Sequence, residues 1–204
     1  MPQDLFTIQK SLVELRQKLI GSKINRIIEP DSDEILLTLF NGKVFNLIIS
    51  TSAKYCRVGL TYLDKPSPLT APNFCMLMRK YLSGGEITGI DTLPNDRIIK
   101  ITITNQNDFK EFNEYFLYAE IMGKYSNIFL TANGVILGSL KTTPQTLEGK
   151  RLAMTGSIYT PPQSQNKCDV TNKKQVLEVL KTYNGENLDK FILANFSYFL
   201  FDFI

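Results

Sequence analysis

The chain has 204 residues, 43% of them apolar, which is enough to bury one sizeable core and excludes a disordered polypeptide. Its 23 basic and 20 acidic side chains leave a net charge of only +3, so any nucleic-acid contact has to come from a local patch. There is no histidine, which removes Ser-His-Asp and Cys-His arrangements, the commonest zinc ligand and the usual general base near neutral pH, and makes a binding protein the expectation over an enzyme.

The first helix is expected over residues 4–19, where Leu5, Ile8, Leu12, Leu15 and Leu19 recur at steps of three and four, Asp4 stands at the cap and Gly21 follows the end. Strands are expected over 23–29, 34–40 and 44–50, the last two joined by Asn41-Gly42, a two-residue hairpin signal, with a further strand over 56–61. Prolines at 66, 68 and 72 mark a loop. After it Asn73 is expected to cap a second helix, whose Phe74, Leu77, Met78 and Tyr81 share one face and read as core packing, before Gly84-Gly85. Arg79 and Lys80 lie on its flank, facing solvent or RNA. Short runs at 86–91, 98–104, 115–122, 127–131 and 135–140, with a second Asn-Gly at 133–134, read as a sandwich or barrel of antiparallel strands.

Residues 141–167 carry Thr143-Pro144, Gly149, Gly156 and Pro161-Pro162 and read as a loop or linker leading out of the sheet domain. Helices are expected over 173–181 and from 188 to about 203. The apolar ending, with Phe199, Leu200, Phe203 and Ile204, is expected to be covered by further helices of a longer protein. Cys56, Cys75 and Cys168 are odd in number and form no CxxC pair, so free thiols in a reducing cytosol are expected. No signal-peptide pattern opens the chain and no apolar run reaches the ~18 to 20 residues that span a bilayer. The expectation is a soluble cytoplasmic protein with no membrane partner.

Three stretches carry a resemblance: DLFTIQKSLVELRQKLIGSKINRIIEP at 4–30, FCMLMRKYLSGGEITGI at 74–90 with NDRII at 95–99, and AEIMGKYSNIFL at 119–130. In that order and spacing they resemble the NFACT N-terminal domain of RqcH, fibronectin-binding protein A and NEMF-type proteins. The resemblance implies an α+β fold over 1–162, an antiparallel β-sandwich flanked by helices and similar to the N-terminal domain of formamidopyrimidine-DNA glycosylase. Residues 163–204 would be a linker and the start of a helix-hairpin-helix module. The resemblance further implies a ribosome quality-control role. The whole protein would bind the obstructed large ribosomal subunit carrying peptidyl-tRNA and recruit charged tRNA, alanyl-tRNA in bacteria, for C-terminal tailing of the nascent chain, while the ribosome makes the bonds.

The family's tRNA-binding pair stands here as Asp96-Arg97, with an acidic residue of the first helix standing as Asp4. A guanidinium fork suits phosphate or base edges, and a carboxylate orients it or accepts from bases. Without the resemblance, Asp96-Arg97 reads as a polar turn whose ion pair is worth ~0 to 1 kcal/mol. Arg79, Lys80 and Lys124 are second-rank candidates for phosphate contacts. Tyr81 and Tyr125 stand where the family commonly has histidine, so imidazole chemistry is absent there, although a tyrosine still stacks on a base. No catalytic residue, metal ligand or cofactor is assigned.

Three rivals remain open. A glycosylase would use Pro2 as an amine nucleophile, but Gln3 stands where such an enzyme has glutamate, and its four-cysteine zinc element is missing from the sequence. A surface adhesin that binds fibronectin, as the family's older name implies, would need a non-classical export route. The third is a protein-interaction module indifferent to RNA.

Overall fold

A computed structural model describes residues 3–94, 96–106, 111–142, 151, 153–162, 167–170, 172–185 and 187–196. Helix α1 (Leu5–Leu19) begins as expected: the Asp4 carboxylate accepts a hydrogen bond from the Thr7 amide at 2.7 Å, and all five apolar positions of its stripe are buried. Strands β1 (Lys23–Asp31), β2 (Glu34–Asn41), β3 (Lys43–Ser50) and β4 (Arg57–Thr61) follow as an antiparallel meander. Then come α2 (Asn73–Leu82), β5 (Glu86–Thr92), β6 (Ile98–Gln106), β7 (Phe112–Glu120), a 3-10 turn (Gly123–Tyr125), β8 (Asn127–Ala132) and β9 (Val135–Ser139).

Among the described residues the nine strands form one antiparallel sheet in the order β4-β3-β2-β1-β5-β6-β7-β8-β9. The two layers of the expected sandwich are therefore two wings of one sheet, β1–β4 and β5–β9. They meet at a narrow joint where β1 and β5 share a single register pair, Lys23 with Glu86. Helix α1 packs on β2, β4 and β5, and α2 on β1, β6 and β9, so each helix spans the joint. One apolar core takes Ile27, Leu37 and Ile49 from the first wing, Ile101, Leu117 and Leu130 from the second, and the buried faces of both helices. At the far ends of the wings, Lys141 Nζ donates to the Thr51 carbonyl at 2.6 Å.

Four local expectations are corrected. Asn133-Gly134 forms the β8–β9 turn with both residues at positive φ, whereas at the first Asn-Gly only Gly42 does so, and Asn41 stays in β2. The Asn41 amide is instead drawn to the Ile20 carbonyl at the end of α1, at 3.1 Å. Asn73 is the first residue of α2 and not its cap: Pro72 holds that place without a side-chain bond. The stretch read as a linker returns to the sheet, with Ile136 donating to Ser157, Gly156 to Ile136 and Tyr159 to Gly134 along β9. Beyond it lie α3 (Lys173–Leu180) and α4 (Leu188–Asn195). The latter stops before the expected residue 203 because Phe196 turns extended, is buried and pairs with Cys168. Pro2, Phe199, Leu200, Phe203 and Ile204 lie outside the described residues.

The joint depends on two glycines. Gly84, at φ +76, ends α2 in the left-handed region, and Gly85 passes so close to its neighbours that an added Cβ would stand 2.9 Å from Ile103 Cγ2 and 3.1 Å from the Leu82 carbonyl. The Gly85 carbonyl also accepts the Ile24 amide that bonds the wings. Gly85→Ala is expected to lower unfolding free energy by about 1–3 kcal/mol through overpacking, read from urea denaturation.

Candidate functional site

The β5–β6 connection places Asp96 and Arg97. Backbone bonds from Leu93 to the Ile98 carbonyl and from Asp96 to the Leu93 carbonyl close it as a turn. Asp96 Oδ1 accepts the Arg97 amide at 2.7 Å, and the Arg97 carbonyl accepts the Ile121 amide at 2.9 Å, which fastens the turn to the end of β7. Burial raises the Asp96 carboxyl above its ordinary pKa, opposed by the Arg97 amide and by the charges of Arg97 and Arg151. Among the described residues no hydrogen bond or ion pair engages the Arg97 guanidinium. Lys167, brought within reach of Arg97's charge, is lowered mainly by burial and further by that charge.

Beside this turn lies a cluster that sequence reasoning missed. Glu120, opposite Ile98 in the β6–β7 ladder, is buried and forms a two-pronged ion pair with Arg151, at 2.6 and 2.9 Å. Tyr159 donates its hydroxyl to Glu120 Oε1 at 2.9 Å, and burial, followed by the Glu120 charge, raises its phenol pKa strongly. The Tyr159 ring stacks on Tyr118 at 4.0 Å, and the Arg151 guanidinium lies 5.1 Å from the Phe129 ring and 4.9 Å from that of Tyr159. Arg151 thus neutralises Glu120 and adds positive potential at Asp96. Glu120 stood in one of the stretches that carry the resemblance. Arg151 and Tyr159 gave no signal, because hydrophobic periodicity carries no trace of a partner dozens of residues away.

Of the remaining candidates, Lys124 is exposed on the 3-10 turn just after β7, on the same connection as Ile121, with Nζ 5.0 Å from the Tyr125 ring. Asp4 serves as the α1 cap, and no hydrogen bond or ion pair among the described residues joins it to Asp96 or Arg97. Arg79 is half-buried and donates Nε to the Ile27 carbonyl at 2.9 Å, while Lys80 is exposed beside the Tyr81 ring. The structure therefore gathers Asp96, Arg97 and Lys124 around the end of β7. It gives Asp4 and Arg79 structural bonds of their own.

A nine-stranded antiparallel sheet crossed by two helices, with a charged cluster at the β5–β6 turn, defines an α+β domain. The family model described as NFACT N-terminal and middle domains matches residues 4–199, and the chain belongs to that family. The family that the three stretches resemble is thus the family of the chain. A similar curated relative is the Rqc2 homolog RqcH of Bacillus subtilis (strain 168), 33% identical over 189 residues, which make up 90% of this chain and 33% of that protein. The chain spans about a third of the length of the curated relatives it matches first. Among solved structures, the N-terminal part of the fibronectin/fibrinogen-binding protein of Streptococcus suis aligns with a TM-score of 0.87 at 30% identity, over 96% of this chain and 74% of that one. The N-terminal domain of the fibronectin-binding protein PavA of Streptococcus pneumoniae aligns with a TM-score of 0.82 at 31% identity, over 88% and 69%.

Two outcomes test the site's electrostatics. A carboxyl whose pKa is higher in the folded state than in the unfolded one stabilises the fold below its unfolded pKa and loses that contribution as pH rises through its folded value. Asp96→Asn, which keeps an oxygen for the Arg97 amide, is therefore expected to be more stable than wild type at neutral pH, with the gap closing as pH falls through the carboxylate range in paired urea titrations. Arg151→Ala strands Glu120 as a buried unpaired carboxylate, and a loss of about 3 kcal/mol is expected in the same assay.

Proposed function

We propose that this chain is the N-terminal, RNA-facing part of a ribosome-associated quality-control factor. The whole protein binds large ribosomal subunits blocked by peptidyl-tRNA and recruits charged tRNA, alanyl-tRNA in a bacterial setting, for C-terminal tailing of the stalled chain. The observation that carries this reading is the Arg97 guanidinium, whose donors are unengaged among the described residues while its backbone is fastened to Asp96 and to the end of β7. A guanidinium with its donors unengaged is available to phosphate or base edges, and the neighbouring Asp96 carboxylate suits acceptance from a base. Family membership and relatives named Rqc2 homolog RqcH supply the ribosome.

On this proposal the domain binds and positions while the ribosome makes the bonds, so the chain is not an enzyme, and its place of work is the cytoplasm. The sheet with its flanking helices corresponds to the N-terminal domain of formamidopyrimidine-DNA glycosylase, and α3 with α4 opens a helical hairpin module. A second reading, fibronectin binding, is favoured by the names of the two solved structures the chain resembles.

Co-sedimentation of the full-length protein with large ribosomal subunits tests the proposal. Wild type is expected to pellet with subunits and tRNA, and the Asp96→Ala, Arg97→Ala double variant to pellet with subunits while tRNA falls by at least about tenfold, since charge-assisted hydrogen bonds contribute about 1.5–3 kcal/mol each. If wild type fails to pellet with subunits, or the folded double variant retains tRNA, the proposal is wrong. Retention of wild type on immobilised fibronectin in the first case would favour the second reading.

A further inference from the structure

Two loops at the end of the sheet where Lys141 joins the wings carry the same two residues at their tips. The β3–β4 connection ends in Lys54-Tyr55 and the β7–β8 connection in Lys124-Tyr125. Both lysines are exposed, and the tyrosines are 62% and 73% exposed, far more than a ring of that size needs if it serves only packing. The two tips are neighbours: the Ala53 carbonyl lies 3.8 Å from where a Cβ on Gly123 would stand, and Gly123 takes the left-handed conformation at φ +58.

Each tip is held from behind. In the first loop, Thr51 donates its amide and hydroxyl to the Asp33 carbonyl at 2.7 and 2.9 Å, its own carbonyl accepts Lys141 Nζ, and Cys56 behind Tyr55 is buried. In the second, Tyr125 donates to the Met122 carbonyl, Ser126 donates its amide to the Gly123 carbonyl, and the buried Ser126 hydroxyl accepts the Met122 amide at 2.8 Å. Rigid loops thus present two exposed rings and two ammonium groups. Neither 51–57 nor 121–127 contains an acidic residue, and Arg57 adds a further exposed cation. Of the acids on adjoining segments, Asp4 accepts the Thr7 amide, Glu120 is paired with Arg151, and the Asp33 charge acts on Lys141.

We propose that Tyr55 and Tyr125 form a two-ring platform for unpaired RNA, one base on each ring, with Lys54 and Lys124 on the flanking phosphates. Stacking uses the face of any base and tolerates sequence, whereas a duplex keeps its bases stacked on one another and offers none to the rings. The Lys124 ammonium 5.0 Å from the Tyr125 ring leaves the opposite face of that ring for a base. The bond between Arg97 and Ile121 places the Asp96-Arg97 turn at the root of the same loop, so the platform would hold nucleotides next to those the turn reads. The identity of the RNA as tRNA rests on the quality-control reading above, while the platform itself rests on the tips.

Fluorescence anisotropy of the full-length protein with labelled oligoadenylate, beside an RNA duplex of equal length, tests the platform. Tighter binding of the single strand is expected, with Tyr55→Ala and Tyr125→Ala each weakening it about tenfold, and Tyr55→Phe and Tyr125→Phe staying within about twofold of wild type. Lys54→Ala and Lys124→Ala should each lower the slope of log affinity against log salt by about 0.7, one phosphate contact apiece on a single strand. Equal affinity for duplex and single strand, wild-type affinity in both tyrosine-to-alanine variants, or no RNA binding by wild type would each overturn it. If the oligonucleotide results hold while wild type does not pellet with ribosomal subunits, the platform stands and the quality-control reading falls. With the two outcomes exchanged, the platform falls alone.

Discussion

Between β1 and β5 the sheet hangs on one register pair and the few backbone bonds around Gly84 and Gly85. A ladder that short fixes the wings' relative register weakly by itself, so their mutual placement falls to the helices that cross it. Helix α1 does this with more than its apolar stripe: Arg16 donates Nε to the Ile90 carbonyl at 2.6 Å and pairs with Asp91 at 2.7 Å, clamping the helix to β5. The exposed ion pair adds little by itself, and the burial of the apolar faces in the shared core provides most of the stability. The β5–β6 turn and the two lysine-tyrosine tips take their places relative to one another only because that core closes.

The charged end of β7 shows a cost that packing alone would not select. Glu120 and Arg151 are taken largely out of water and offset this with two short bonds, a tyrosine hydroxyl and two ring faces, yet Arg151 Nε is buried without a partner among the described residues. Asp96, close by, is held against the pull of its own burial. Apolar residues of similar volume would fill such a space at no electrostatic cost, so four charges around one turn are a cost to the fold that its packing does not require.

Much of the fold was legible because local signals and tertiary demands agreed. Asp4 before the Leu5, Ile8, Leu12 stripe describes α1 without help, and Asn133-Gly134 marks its hairpin. Misreadings arose where a distant group took over: Ile20 claims the Asn41 amide, and Phe196 ends α4 by pairing with Cys168. At the site, Asp96 and Arg97 stood out only through resemblance to a family, since an Asp-Arg pair in a turn is chemically ordinary. Arg151 and Tyr159 were hidden in a stretch rich in proline and glycine, whose composition describes a loop and says nothing of what the loop touches.

The partners of Glu120 lie 31 and 39 residues downstream of it. A polypeptide emerges from the ribosome in order, and its earlier segments begin to pair while later ones are still being made. Strands β5 to β8 can therefore assemble with Glu120 still hydrated at the sheet's end, and the site acquires its final electrostatics only when the segment through Tyr159 has emerged and doubled back along β9. Until then the nascent domain holds a nearly complete sheet with an unpaired acid at its end, and that end is finished only when the last returning segment has been translated.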